Sequence, residues 1–331
     1  MQIGRKNLNM FSRPFLVAEA GSSHGGNQST ALEMVYSAIK CGADAVTFQE
    51  IYEESLYTKL DELPVLPQPR IGWDCLKECR KIAKDNDLCF SVCVTDIDSL
   101  EVALSLSIDF IKIVSYDVTF IPFLKKCGST GLPIFMSTGA STFKEIEVAI
   151  KALNIKDNLV LYHTDCGYPT KSNEVNLSRM LRLKEKFNFP VGYCDHTDNV
   201  HSCIVAAAMG AKVIEKHIIL DRKTKFVDFE VALEPDELST LFKNIKETSL
   251  ILGNNNNDDE IACGDQYRRK NLRRSIALNC DLEKGIILKE EHLTMLRPPI
   301  GLSWEDKSLI IGKKTKHSLK KRQILNQDHF Q

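Results

Sequence analysis

Residues 191–217 read VGYCDHTDNVHSCIVAAAMGAKVIEKH and place a helical pattern between two short apolar runs. His196 follows the first run directly, and His217 ends the second run 21 positions later. A β-rich run, an amphipathic stretch and a second β-rich run predict one strand–helix–strand unit. Because the two parallel strands of such a unit usually lie side by side, this stretch predicts that both histidines stand at the same edge of one sheet.

The same alternation extends outward over residues 15–252. β-rich runs occupy residues 15–20, 44–49, 88–94, 109–115, 133–138, 159–164, 190–194 and 211–217. Helical patterns occupy residues 29–42, 73–86, 143–153, 177–187 and 201–210, and a last one follows at 235–252. Eight such units predict an α/β fold of the (β/α)8 TIM-barrel type. A doubly wound open sheet is the alternative, but the glycine-rich turn GSSHGGN (21–27) lacks the G-x-G-x-x-G spacing.

The stretch GNNNNDDEIACGDQ (253–266) is polar and low in complexity, which predicts a linker. It separates a barrel domain, residues 1–252, from a small domain, residues 267–331. We expect so short a domain to have little core of its own and to lean on the barrel or on a second subunit. It carries 15 Lys+Arg against 7 Asp+Glu, so it is suited to docking on the acidic remainder or on an anionic ligand held there.

Bulk composition excludes several classes of protein. The net charge of −1 gives no general attraction to nucleic acid or to a membrane surface. No apolar run approaches the ~20 residues needed to span a bilayer. The 11 cysteines are odd in number and no pair has zinc-site spacing, which, with no signal peptide in view, predicts free thiols in a reducing, cytoplasmic compartment.

Polar residues end every predicted strand on the same side of the barrel. They are Glu19, Gln49, Thr95, Lys112 with Ser115, Ser137, His163, His196 and His217. Barrel enzymes build their active sites at this carboxyl-terminal face. Two neutral imidazoles with open positions between them suit a divalent metal acting as a Lewis acid, and Asp195 or Glu215 could orient a ring.

Lys112 lies between two isoleucines in the run DFIKIVS (109–115). Its side chain could pack along apolar surface with the ammonium at the rim. It could instead bind an anion, or form a Schiff base as the lysines of barrel aldolases do. The residues alone leave these three roles open.

Eight segments in chain order carry a family resemblance. They are VAEAGSSHGGN, GADAVTFQE, DFIKIVSYD, PIFMSTGAS, YHTDCGYPT, VGYCDHT, GAKVIEKHIILDR and ALEPDEL. Together they resemble the sialic acid synthase family, which condenses phosphoenolpyruvate with N-acetylmannosamine or a related amino sugar to give a nonulosonic acid and phosphate. The tail from RRSIALNCDLEKG onward resembles the antifreeze-protein-like (SAF) domain of that family. The resemblance spans about residues 15–325.

The resemblance implies a role for each candidate residue. His196 and His217 would hold a divalent metal, Mn²⁺ or Mg²⁺. Lys112, Ser115 and Ser137 would hold phosphoenolpyruvate, and Asp117 lies in the same segment. The sugar would lie among Glu19, Gln49, Tyr168 and Asp228. Arg297 would reach the sugar end from the C-terminal domain of the partner in a domain-swapped homodimer.

Four positions depart from the family pattern, all on the side where the donor phosphate is expected. Thr47 stands where the family has lysine, Cys93 where it has threonine, Cys166 where it has asparagine or a small polar residue, and Cys194 where it has serine. An ammonium lost from a phosphate site removes about 1.5–3 kcal/mol. Two alternatives to the synthase therefore stay open: a relative with a different donor or acceptor, and a non-catalytic homologue.

Overall fold

The computed structural model describes residues 1–8, 13–59, 68–253 and 260–331 of the chain. The chain divides into two compact units, Met1–Asn254 and Asn255–Gln331. Each unit is described by itself below.

Within the described part of the first unit, eight parallel strands follow a short antiparallel hairpin. The strands are β1 Gln2–Ile3 and β2 Lys6–Asn7 in the hairpin, then β3 Phe15–Gly21, β4 Ala45–Gln49, β5 Cys89–Cys93, β6 Ile111–Ile113, β7 Ile134–Ser137, β8 Leu159–His163, β9 Val191–Asp195 and β10 Val213–His217. Their order is β5-β4-β3-β10-β9-β8-β7-β6. The end strands meet where the Asp109 amide donates to the Phe90 carbonyl at 2.9 Å and Ser91 Oγ donates to the Phe110 carbonyl at 2.7 Å. The eight predicted strands and the barrel are confirmed.

Helices follow the strands around the barrel. They are α1 Gln28–Cys41, α2 Glu53–Leu56, α3 Trp73–Asp85, α4 Ile97–Ser105, α5 Ile121–Ser129, α6 Phe143–Leu153, α7 Ser178–Phe187, α8 His201–Ala208 and α9 Pro235–Leu252. Sequence periodicity missed α4 and α5, which are only nine residues long each. The start of α4 is nevertheless marked by a local signal, because the Asp96 side chain accepts from the Ser99 amide at 2.8 Å as an N-cap.

Side chains alternate between the barrel interior and the helix layer. The lower interior is apolar and includes Phe15, Phe110 and Phe135, with Ile3 and Leu8 of the N-terminal segment packed into the same cluster. Going up each strand by two residues keeps the side chain inside. The interior positions above this apolar floor are polar: Glu19, Thr47, Lys112, Ser137 and Glu215, all buried.

The second unit begins with α10 Cys263–Leu272, which starts inside the stretch predicted as a linker; residues 254–259 of that stretch lie outside the described residues. Strands β11 Ser275–Leu278 and β12 Leu293–Leu296 pair antiparallel. The unit has more core than we expected, a cluster of buried apolar side chains comprising Ile276, Leu278, Leu282, Leu288, Leu293, Ile310, Leu319, Leu325 and Phe330. None of the helices that the structure describes is long and apolar enough to cross a lipid bilayer.

Candidate functional site

His196 and His217 stand side by side at the carboxyl ends of β9 and β10. Their ring centroids are 5.5 Å apart. The Nε2 atoms of both rings face the hydroxyl of Tyr168, at 2.8 Å from His196 and 3.4 Å from His217. Two imidazole nitrogens therefore converge on one point, as the sequence spacing predicted.

Each ring is held through its other nitrogen. His196 Nδ1–H donates to the Asp165 carbonyl at 2.6 Å, which leaves the lone pair on Nε2. Burial and the neighbouring His217 lower the pKa of His196 to about 4, so this ring is neutral. His217 Nδ1 lies 3.4 Å from Asp228 Oδ2. Burial lowers the pKa of His217, but Asp228, Glu19 and Glu215 together outweigh burial and the net shift is upward.

Neither carboxylate predicted to orient these rings does so. Asp195 points into the helix layer, where its Oδ2 accepts from Lys216 at 2.5 Å. Glu215 points into the barrel and pairs with Lys112. The backbone carbonyl of Asp165 takes the orienting role for His196, which sequence patterns cannot show, because any residue type supplies a carbonyl.

Lys112 and two carboxylates form a buried cluster inside the barrel. Lys112 Nζ contacts Glu215 Oε1 and lies 3.9 Å from Glu19 Oε2, while the Cys194 thiol donates to Glu215 Oε1 at 3.0 Å. Burial, then the charge of Glu215, raises the pKa of Glu19 to about 8. Burial alone would raise the pKa of Glu215, but Lys112, Cys194 and His217 together outweigh burial and the net shift is downward.

Several oxygens in and beside this cluster have no hydrogen-bond partner among the described residues. They are both carboxylate oxygens of Glu19, Oε2 of Glu215 and the hydroxyls of Thr47 and Tyr162. Buried polar atoms that no protein group satisfies are expected to meet a ligand, an ion or water. The paired imidazoles suit a divalent ion that takes nitrogen ligands. In the described part of the chain no third His, Cys, Asp or Glu joins the histidines as a metal-binding group, so substrate or water would complete such an ion's shell.

Ser115 and Cys166 lie together beside the loop that follows β7. The Gly139 amide donates to Ser115 Oγ at 3.1 Å. A Cβ on Gly139 would stand 2.8 Å from Ser115 Oγ and 2.7 Å from Cys166 Sγ, so only glycine fits between them. Ser137 ends β7 two residues before this contact. These residues form one wall of the mouth, in which the Gly139 amide and the Ser115 hydroxyl are bonded to each other.

Comparisons with known proteins decide the family. The NeuB family model matches residues 34–257, and the SAF domain model matches residues 273–331. The chain belongs to the NeuB family. As a NeuB-family member with a SAF domain it is an enzyme of the carbon–carbon bond-forming synthase class, as the sequence resemblance implied.

Three proteins that this NeuB chain resembles are synthases of different acidic sugars. N,N'-diacetyllegionaminic acid synthase of Legionella pneumophila is 33% identical, over 96% of this chain and 94% of that protein. Pseudaminic acid synthase of Campylobacter jejuni serotype O:2 is 29% identical over the whole of both chains. The crystal structure of an N-acetylneuraminic acid synthetase from Leptospira borgpetersenii has a TM-score of 0.72 and 29% identity, covering 78% of this chain and 90% of that one.

The four departures of this NeuB chain do not all fall at one place. Thr47, Cys93 and Cys194 are buried, and Thr47 lies opposite Glu19 in the β3–β4 register. Cys93 ends β5 opposite Gln49, which ends β4. Cys166 is half-buried and lies at the mouth, beside Ser115. The four positions thus lie at two levels of the barrel, the interior and the rim.

Two further predictions concern the rest of the site. Tyr168 lies between the histidines and Asp228 lies beside His217, so both belong to the mouth. Arg297 is exposed in the second unit, at the end of β12. His163, which continued the strand-end pattern, is a structural residue instead, because its Nε2 donates to the Val175 carbonyl at 2.6 Å and its ring stacks on Tyr193.

Glu215 was predicted only as a group that could orient a histidine ring, and Tyr162 was not predicted at all. Lys112 Nζ contacts the Glu215 carboxylate and lies 5.1 Å from the centroid of the Tyr162 ring. A signal for Glu215 was present, since it precedes His217 by two positions and a strand returns every second side chain to the same face. Tyr162 gave no such signal, because it continues the apolar pattern of β8.

Asp117 makes the stability of the chain depend on pH. It is buried on the 3-10 turn Ser115–Thr119, its Oδ2 has no partner among the described residues, and burial raises its pKa from 3.8 to about 7. Between about pH 4 and 7 the folded state therefore binds a proton that the unfolded state releases. We expect this group to lower the free energy of unfolding by about 1.4 kcal/mol for each pH unit in that window.

Asp117→Asn should remove this dependence. Urea unfolding at pH 5, 6, 7 and 8 measures it, with the exposed Asp85→Asn as the matched control. The stability of Asp117→Asn relative to the native chain should increase with pH and level off above about pH 7. A difference that stays constant from pH 5 to 8 would show that the folded state does not protonate this carboxyl.

Proposed function

We propose that this chain condenses phosphoenolpyruvate with an N-acetylated amino sugar, N-acetylmannosamine or a relative, to give a nonulosonic acid and phosphate. One observation carries the proposal: His196 and His217 direct their Nε2 atoms at a single point in the barrel mouth. That point lies in the same mouth as the cluster of Lys112, Glu215 and Glu19. The synthase names of the relatives support the same reaction class.

His196 and His217 would hold a divalent ion, Mn²⁺ or Mg²⁺, through Nε2. Such an ion, when bound, polarises the aldehyde oxygen of the open-chain sugar. The remaining work falls to the residues of the chain. Gln49, Tyr168 and Asp228 would position the sugar, while Ser115 and Ser137 would hold oxygens of the donor.

Carbon–carbon bond formation needs a proton donor, and the addition of water that follows it needs a base. Carbon 3 of phosphoenolpyruvate bonds to the aldehyde carbon, and the aldehyde oxygen takes a proton to become a hydroxyl. Glu19 suits this donation, because its pKa of about 8 keeps it protonated at neutral pH. Water then adds to carbon 2, and its proton passes to Glu215, which is ionised beside Lys112.

Loss of phosphate completes the reaction. The bond between carbon 2 and the phosphate oxygen breaks, the electron pair leaves with phosphate, the hydroxyl on carbon 2 gives its proton to the departing phosphate, and the 2-keto acid remains. Lys112 would offset the negative charge of the donor throughout. Mass spectrometry of the product formed from phosphoenolpyruvate and each candidate sugar tests this sequence. A product that is not the sugar plus the three carbons of the donor would overturn it.

With Thr47 in place of the lysine that the family resemblance implies, the donor site has one positive charge fewer. In the described barrel interior Lys112 faces two carboxylates, and the Thr47 hydroxyl, opposite Glu19, is buried without a partner. We expect Thr47→Lys to lower the KM for phosphoenolpyruvate by about 10–150-fold, the equivalent of one charge-assisted contact of ~1.5–3 kcal/mol.

Steady-state kinetics with Thr47→Met as the uncharged control of similar length separates charge from volume. The lysine variant should lower the KM and the methionine variant should not. A native KM in the low micromolar range that the lysine makes worse would mean that other groups already satisfy the phosphate. A different donor is the second candidate function, and the missing ammonium at position 47 is the observation that favours it.

We also propose that the chain works as a domain-swapped homodimer, in which Arg297 of each SAF unit serves the sugar end of the partner's site. Two observations support this arrangement. The Arg297 side chain is exposed in its own unit. Residues 267–331, which contain it, are net basic, whereas the rest of the chain is net acidic.

A further inference from the structure

A fully buried ion pair stands directly behind the two histidines. Lys216 Nζ donates to Asp195 Oδ2 at 2.5 Å and to the Thr197 carbonyl at 2.6 Å. Both side chains of the pair are 0% exposed. Asp195 also accepts from the hydroxyls of Tyr193, Thr197 and Ser202, at 2.7, 3.0 and 2.9 Å. Every partner lies in the layer between β9, β10 and α8.

The pair connects the neighbours of both histidines. Asp195 precedes His196 and Thr197 follows it, so the Lys216 ammonium binds the residues on both sides of His196. Lys216 itself precedes His217 on β10. Because adjacent residues of a strand point to opposite faces, the pair is outside the barrel while His217 faces the mouth. One ammonium therefore fixes the backbone from which both imidazoles project.

Stability alone does not account for such a pair. Replacing a buried ion pair with apolar side chains of similar volume is often neutral or stabilising. A buried polar network with all of its partners satisfied does, however, hold its members in one arrangement. Bonds to both sides of His196 supply the rigidity that a two-imidazole site needs, since no third protein ligand was found in the described residues to fix the rings.

We propose that Lys216 and Asp195 are positioning residues that set the separation of the His196 and His217 rings. The inference rests on the metal site proposed above, and it assigns no contact between this pair and the substrates. Groups behind metal ligands typically change metal affinity by about 10–100-fold when they are removed. We expect Lys216→Met to weaken Mn²⁺ binding by a factor in this range.

Two measurements on the full chain test the proposal. Isothermal titration calorimetry gives the Kd for Mn²⁺, and crystal structures give the distance between the two ring centroids, 5.5 Å in the native chain. The double variant Asp195→Asn/Lys216→Met removes both charges. It replaces Lys216→Met in both measurements if Lys216→Met alone does not fold. Arg80→Met is the matched control, because it breaks a largely buried ion pair to Asp109 at the opposite end of the barrel.

The expected result is a weaker Mn²⁺ Kd and a changed ring separation in the Lys216 variants, with both unchanged in Arg80→Met. A ring separation that stays near 5.5 Å, with a Kd within about twofold of native, would overturn the positioning role. Failure of the native chain to bind Mn²⁺ would instead overturn the proposed metal site. In that case the ring separation alone decides the role of the pair.

Discussion

Replacing either His196 or His217 by alanine is expected to lower synthase activity by about 10³-fold or more, because a Lewis-acid metal contributes several kcal/mol to catalysis. Either change removes one of the two nitrogens that converge on the same point. Both histidines lie at the barrel mouth, so the fold should survive. The measurements are kcat with saturating Mn²⁺, Mn²⁺ binding by calorimetry, and the circular dichroism spectrum.

His201→Ala provides the control for this prediction. His201 is an exposed histidine at the start of α8, five positions beyond His196, and it takes no part in the mouth. Its variant should keep native activity and Mn²⁺ affinity. If His196→Ala and His217→Ala kept both properties as well, the paired imidazoles would be structural and the metal site would lie elsewhere.

Arg297→Ala and His196→Ala should each be nearly inactive alone, yet regain activity when co-expressed. In a domain-swapped dimer of the two variants, the site of the Arg297→Ala chain keeps its histidines and receives Arg297 from the other chain. Random pairing in a two-fold dimer gives such a mixed dimer half of the time, with one working site of two. The expected activity is about a quarter of the native value.

Differently tagged chains show whether mixed dimers form, and Arg268→Ala, another exposed cation of the same unit, is the control. Arg268→Ala should be active when it is expressed alone, without a second variant. Isolated mixed dimers with no activity would mean that Arg297 serves its own barrel. A fully active monomer would exclude the exchange of domains altogether.

The barrel could be predicted from the sequence because its determinants are local and repeated. A short β-rich run predicts each strand. The spacing of His196 and His217 predicts that their two rings lie on neighbouring strands. The short helices α2, α4 and α5 were missed, because nine residues or fewer hold fewer than three turns of a 3.6-residue period; of the described barrel helices this short, only α8 was predicted.

The contacts inside the barrel could not be predicted, because they join residues that lie far apart in the sequence. Lys112 was open to three roles in the sequence, and the structure pairs it with Glu215, 103 positions away along the chain. Asp195 directly precedes His196, yet it serves Lys216 in the helix layer, because successive strand residues point to opposite faces. His163 also fitted the pattern of polar residues at strand ends. In the structure its ring donates to the Val175 carbonyl.

Phosphate release from phosphoenolpyruvate tests the central claim most directly. The chelator-treated chain would be assayed with N-acetylmannosamine, its 6-phosphate and a di-N-acetylated deoxy sugar, each with and without Mn²⁺. The proposed function predicts release that requires one of these sugars and is restored by the metal. No sugar-dependent release from phosphoenolpyruvate with any of them, in the presence of Mn²⁺, would contradict it.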